Sequence, residues 1–283
     1  MPYATNAGVR IYYEVVGSGA PLVLLHGLSD SAAVWHESGL LERLRVHRRL
    51  ILIDARGHGR SDKPHDPAAY ELRQRVGDVL AVLNTLGIER ADCYGFAMGG
   101  WLGYGLARYT PERLVTLTIN SAHPYAASNA FFRRILAGGA AAWIELAERM
   151  AGSLPPVAKR RMLRNDSEAL RASVAQDRAD LSPFLAGLEV PCRLIAGGAD
   201  PDFPRIAQAA LELPNACFFP LAGLNSFQAI WRGDLVAPII LEQGNRRAAA
   251  RPSLRPGFFH RGAEGLAQFP TSFLAMSPGS LAF

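Results

Sequence analysis

The 283-residue chain is 49% hydrophobic and carries three cysteines, Cys93, Cys192 and Cys217. That length suits one α/β domain with an insertion and a core that needs no staples, and three unspaced cysteines read as free thiols in a reducing compartment, arguing against a disulfide framework or a metal site. The formal charge of +5 is concentrated after Gly244, where five arginines face one acid (5 − 1 = +4), leaving 5 − 4 = +1 on the body and no electrostatic footprint for nucleic acid.

Residues 1–6 contain neither a basic nor an apolar leader region, so no signal peptide is expected, and no uncharged apolar run reaches membrane-spanning length. A cytoplasmic location is the expectation. Residues 9–16 alternate as a strand, with Val9, Ile11 and Tyr13 on one face, and Gly17-Ser18-Gly19 turns the chain. Residues 21–25 and 50–53 are continuous apolar runs, as suits strands buried on both faces of a parallel sheet. The first run ends in His26-Gly27-Leu28. Ser29, Asp30 or Ser31 can cap the helix that follows, whose apolar side holds Trp35 and Leu40. The second ends in Asp54 and the loop Ala55-Arg56-Gly57-His58-Gly59-Arg60-Ser61.

Helical spacing at Leu72, Val76, Val79, Leu80 and Leu83 predicts a helix over 70–86, stopped by Gly87. A strand at 93–96, a helix at 101–109 and a strand at 114–119 follow, the last ending in Asn120-Ser121-Ala122-His123-Pro124-Tyr125. The alternation then stops, and residues 126–181 show only helical pattern. Strand and helix resume with a strand at 193–196 that ends in Gly197-Gly198-Ala199-Asp200-Pro201-Asp202, then a helix at 204–213. A last strand at 217–221 leads to Gly223-Leu224-Asn225-Ser226-Phe227 and a single final helix to about residue 241. Residues 244–283 lack a sustained period and are expected to form a poorly ordered basic tail, dispensable for the fold.

The stretch Asp92-Cys93-Tyr94-Gly95-Phe96-Ala97-Met98-Gly99-Gly100-Trp101 reads as a strand end, a very tight turn and a helix start. Gly95 and Gly99 stand two residues either side of Ala97, the spacing of the G-x-S-x-G nucleophile elbow. There the central residue is strained and its neighbours must be small for strand and helix to approach. With the Asp54 loop and the order of elements, these residues make the chain similar to the α/β-hydrolase superfamily, specifically its small esterase, lactonase and ring-cleavage members. The resemblance runs from about Val9 to Leu241.

It implies an α/β fold: a mostly parallel, eight-stranded-type sheet with helices on both faces, a core of residues 1–122 and 182–243, and a helical cap at 123–181. It also implies roles. Ala97 stands at the nucleophile position and Ser226 at the position of the catalytic histidine. Asp200 is the orienting acid, with Asp202 in reserve, and both equally suit a helix N-cap region. The main-chain N–H groups of Leu28 and Met98 are the oxyanion donors, each worth roughly 3–4 kcal/mol in the transition state. Asp54 anchors its loop, and His26 braces the oxyanion loop. His26, Trp35, Tyr125, Trp143 and Phe227 are the expected pocket residues, although most such aromatics are simply core. His123 is the possible substitute base, its alternative being a pocket-lining histidine.

Loss of nucleophile or base from a triad costs on the order of 10⁶ in turnover. The chain is therefore expected to be impaired or inactive by the acyl-enzyme route. Two functions stay open: a hydrolase of a small apolar ester or lactone with a degenerate triad, and a non-catalytic pocket for a small ligand. No dinucleotide fingerprint, phosphate loop or metal-ligand spacing occurs, so no cofactor and no metal are expected, and the expected partner is a small molecule rather than nucleic acid or membrane.

Overall fold

The structure, a computed structural model, describes residues 2–242; the expectations for the tail at 244–283 lie outside the described residues. Eight strands form one sheet in the order β1-β2-β4-β3-β5-β6-β7-β8. They are β1 (Tyr3–Asn6), β2 (Val9–Val16), β3 (Pro21–Leu25), β4 (Arg49–Ile53), β5 (Ala91–Phe96), β6 (Leu114–Asn120), β7 (Cys192–Gly197) and β8 (Ala216–Leu221). The first pair is antiparallel, β2 runs antiparallel to β4, and every later pairing is parallel. β1 had no sequence signal, being four residues long with one buried side chain, and its place follows from pairing Ala4 with Ile11.

Helices cover both faces. α1 (Ala33–Glu37) and α2 (Leu40–Leu44) follow β3; α3 (Leu72–Thr85) and α4 (Met98–Tyr109) flank β5. Four helices separate β6 from β7: α5 (Ala130–Ala137), α6 (Gly139–Ala151), α7 (Pro156–Leu163) and α8 (Ser167–Ser173). α9 (Phe203–Glu212) precedes β8, and α10 (Ser226–Ala229) and α11 (Gly233–Leu241) follow it. The continuous apolar runs split between the faces by the two-residue period of a strand. Val23, Leu25, Ile51 and Ile53 join the core under α3, α4 and α9, whereas Leu22, Leu24, Leu50 and Leu52 join the core under α1, α2 and α11.

Two expected helices are each broken in two. The helix holding Trp35 and Leu40 divides at Gly39, whose φ of 69° ends the first turn. The final helix divides at Arg232, which leaves helical geometry at φ −100°, ψ 52°, so that α10, started by a capping box of Asn225 and Gln228, ends before α11. Among the described residues no helix is long and apolar enough to cross a membrane.

The four inserted helices have a small core of their own, in which Trp143, Leu146, Met162 and Leu170 are buried and against which Leu28 and Phe227 pack. Polar bonds pin this layer to the sheet. Arg161 of α7 donates from Nη1 to Asp30 Oδ1 at 2.5 Å and from Nη2 to Glu37 Oε2 at 2.8 Å. Asn165 donates to the Ser29 carbonyl at 2.8 Å. At its base, Ala127 and Arg178 exchange main-chain bonds of 3.2 and 2.8 Å.

Candidate functional site

The carboxyl ends of β3, β5, β6, β7 and β8 meet beneath the inserted helices around a cavity of about 400 Å³. In a parallel sheet this edge is where side chains from successive loops converge. Main-chain bonds stitch the loops together: Ala97 N–H donates to the Asn120 carbonyl at 2.9 Å, Ser121 N–H to Ile195 at 3.0 Å, and Ala199 N–H to Leu224 at 2.9 Å.

Ala97 forms the turn between β5 and α4 at φ 48°, ψ −107°, outside the regions an L-residue favours. The glycines explain how the turn closes. A Cβ on Gly99 would strike the Leu25 carbonyl and lie 2.8 Å from the His26 carbonyl oxygen; one on Gly95 would lie 2.8 Å from Gly100 Cα. Side chains at these points would push α4 away from the sheet. The close approach brings the first turn of α4 beside the loop His26-Gly27-Leu28. Leu28 and Met98 both line the cavity, and neither N–H meets an acceptor among the described residues. Two open main-chain donors at one cavity wall suit an oxygen that gains negative charge. Replacing Ala97 by Gly should relieve about 1–3 kcal/mol of strain against about 0.5–1 kcal/mol of added chain entropy. Thermal denaturation of Ala97→Gly should therefore show a melting temperature about 2–4 °C higher, and a decrease would show that the turn is not strained.

Asp200, buried just past β7, reaches the same cavity. Its Oδ1 accepts from Asp202 N–H at 2.9 Å, and its Oδ2 is buried without a hydrogen-bond partner. Burial pushes its carboxyl pKa up and the Asp202 charge adds to this, while the Asp202 main-chain bond and the nearby Ser121 hydroxyl act against it. Ser226 lines the cavity as the first residue of α10, on the loop that Asn225 ties to α6 by a 2.8 Å bond from Nδ2 to the Met150 carbonyl. Ala97, Asp200 and Ser226 thus share one space, together with Trp143 and Phe227.

His123 also lines it, buried beyond β6. Its Nε2 lies 3.6 Å from Asp202 Oδ1 and 3.5 Å from Arg205 Nη1. Burial lowers its pKa, Asp202 opposes this, and Arg205 and Arg178 add to the lowering. The ring is thereby biased neutral and placed between an acid and a guanidinium.

Three expected pocket residues stand elsewhere. Trp35 is fully buried in the core against Tyr94, because α1 turns it toward the sheet. Tyr125 stacks on His123 from behind at 5.8 Å and packs on the core beneath. His26 faces away from the cavity: its Nδ1 bonds the Gly27 carbonyl at 2.8 Å and its Nε2 accepts from Ala55 N–H at 3.0 Å. That fixes the proton on Nδ1 and leaves His26 as a brace between two loops. Burial lowers its pKa. Asp54 is likewise a loop anchor, accepting from Ala32 N–H and Arg60 N–H at 2.7 Å each.

Sequence reasoning missed Ser121, Arg178 and Arg205, which also line the cavity. Ser121 had a signal, since it directly follows a buried strand at the sheet edge, where its φ is 56°. Arg178 had none, because its position depends on the bridge to Ala127, some fifty residues earlier.

A family model described as the alpha/beta hydrolase fold matches residues 20–171, more than half of the chain. A protein of Azorhizobium caulinodans named as the carbamate hydrolase RutD is 35% identical over 134 residues, 47% of this chain and 48% of that protein. The chain thus spans about half the length of this relative. A protein of Mycobacterium phage D29 named as a non-heme haloperoxidase is 30% identical over 269 residues, 85% of this chain and 94% of its own. The crystal structure of the enol-lactonase from Burkholderia xenovorans LB400 superposes with a TM-score of 0.71 at 25% identity, covering 84% of this chain and 98% of that one.

Proposed function

The chain belongs to the α/β-hydrolase family, and from that premise we propose that it keeps the pocket, the oxyanion donors and the orienting acid of a serine ester or lactone hydrolase while lacking the two side chains that form the acyl bond and move the proton. In this reading Ala97 holds the nucleophile position and Ser226 the histidine position. The ligand is a small, fairly apolar ester, lactone or related carbonyl compound, met in a reducing compartment such as the cytoplasm. The observation that carries the reading is the strained turn at Ala97 beside a buried Asp200 oxygen with no partner. Strain and an unpaired buried carboxylate oxygen each cost about 1–3 kcal/mol. Together they fit a catalytic constellation kept after its partners were lost.

A second reading, a binding protein without chemistry, is favoured by the cavity itself, which stays open and lined by Phe132, Trp143 and Phe227. The two separate in the repaired chain, Ala97→Ser with Ser226→His, which the first reading expects to turn over p-nitrophenyl acetate and the second does not. In the unmodified chain, assayed with p-nitrophenyl acetate and a panel of small lactones, the degenerate-triad reading expects no turnover above background. Turnover that vanishes in His123→Ala would overturn it, by showing that a histidine already serves as base.

A further inference from the structure

Arg178 lines the cavity described above and a second one of about 320 Å³. Leu28, Met98, Asn129 and Phe132 line both with it, so its side chain stands on the same partition as the two open main-chain donors. Asp200, Asp202, His123 and Arg205 also line the first cavity, and three further charges on these walls are committed. Arg75 donates to the Tyr70 and Ser173 carbonyls at 2.7 Å each, Asp30 is held by Arg161 at 2.5 Å, and Asp177 by Arg133 at 2.8 Å. The Arg178 guanidinium lies over the Trp101 ring, 5.6 Å from its centroid. Among the described residues no carboxylate lies within ion-pair distance of it and no acceptor takes its side-chain N–H groups. Burial lowers its pKa, with Asp202 opposing from a greater distance. Arg178 is half-buried, and a guanidinium whose open donors face a cavity is a ready partner for an anion. A guanidinium stacked on an aromatic face presents its N–H edge to a planar oxyanion.

We propose that the cavity takes a carbonyl compound bearing a carboxylate, the carboxylate seated on Arg178 and the carbonyl oxygen on the N–H groups of Leu28 and Met98. This rests on the reading of those two groups as oxyanion donors, and it narrows the ligand from apolar carbonyl compounds to acidic ones. The remaining walls, Phe132, Trp143 and Phe227, hold the carbon skeleton between the two polar ends.

Isothermal titration of the unmodified chain with monomethyl glutarate and monomethyl adipate, each beside its dimethyl ester, tests this without any catalysis. One monoacid should bind about 10- to 100-fold more tightly than its diester. Arg178→Gln should erase that ratio, and Arg178→Lys should keep part of it, since charge survives while the planar fork does not. Arg178→Met should also erase the ratio, because neither the charge nor the planar fork survives. Should Arg178→Gln fail to fold, the ratios of the unmodified chain and Arg178→Lys decide. Diesters binding as tightly as monoacids, an unchanged ratio in Arg178→Gln, displacement of the monoacid by equimolar inorganic phosphate, or no binding of either monoacid would each overturn the proposal. The degenerate-triad reading fails by a different measurement, the turnover of a repaired chain, so the two can fall separately.

Discussion

Ala97→Ser combined with Ser226→His should turn the chain into a working esterase, with turnover of p-nitrophenyl acetate rising on the order of 10³-fold or more over the unmodified chain. Nucleophile and base act as a unit whose loss costs about 8 kcal/mol, and on the proposed reading their return should recover part of it. On the proposed reading, the other requirements of the repaired site are kept. The strained turn at position 97 holds its side chain at the cavity, and the Leu28 and Met98 N–H groups are free to take the oxyanion. Asp200 Oδ2 lacks a hydrogen-bond partner and shares the cavity with position 226, where the proposed reading expects an introduced imidazole N–H to supply one. Each single substitution should do little, and the pair should exceed the product of their effects. Activity should rise with pH through the titration of the introduced imidazole, whose ordinary pKa is about 6.5, since only the neutral ring accepts the serine proton. Adding Asp200→Asn to the repaired chain should then remove most of that gain, through loss of the orienting bond. A folded double variant with no turnover would show that the cavity has lost catalytic geometry and would favour the binding reading.

Gly99→Ala should be among the most damaging single substitutions in the chain, costing about 3 kcal/mol or more of unfolding free energy in urea denaturation. The added methyl would meet the main-chain carbonyls of Leu25 and His26 rather than a flexible side chain. Neither β3 nor α4 can give way without opening the sheet edge, because Leu25 is buried and pairs with Gly95 across β5. Gly139→Ala is the control. It has a positive φ, 74°, which Gly99 does not, but nothing lies within 4 Å of the added atom, so its cost should stay near 1 kcal/mol. Equal costs for the two would mean that α4 and β3 are not held at the close approach on which the two open donors depend.

The fold was legible where one physical cause acts over a short stretch. Apolar runs at 21–25 and 50–53 could only be strands covered on both faces, and the small residues around Ala97 could only serve a turn with main chain on either side. Leu28, Met98, Asp200 and Ser226, which the family resemblance singles out in the loops after their strands, all line the cavity. Side-chain direction was not readable. Trp35 is an aromatic one turn into a helix near the site, yet the helix phase sends it into the core. His26 stands at a strand end like Asp200, but hydrogen bonds on both ring nitrogens turn it into the loop. Arg178 depends on a contact between distant segments, which no local pattern encodes. The short helix α10 could have been foreseen, since Asn225 and Gln228 have capping-box spacing.

The role of position 97 is tested most directly by intact-mass spectrometry after treatment with a fluorophosphonate, which phosphonylates a serine only where a base and an oxyanion site activate it. The Ala97→Ser, Ser226→His chain should gain a single adduct that maps to position 97, and the unmodified chain should gain none under the same conditions. An adduct on Ser121 or any other native residue of the unmodified chain, or a folded double variant that stays unlabelled, would contradict the assignment of Ala97 and Ser226 to the two lost catalytic positions.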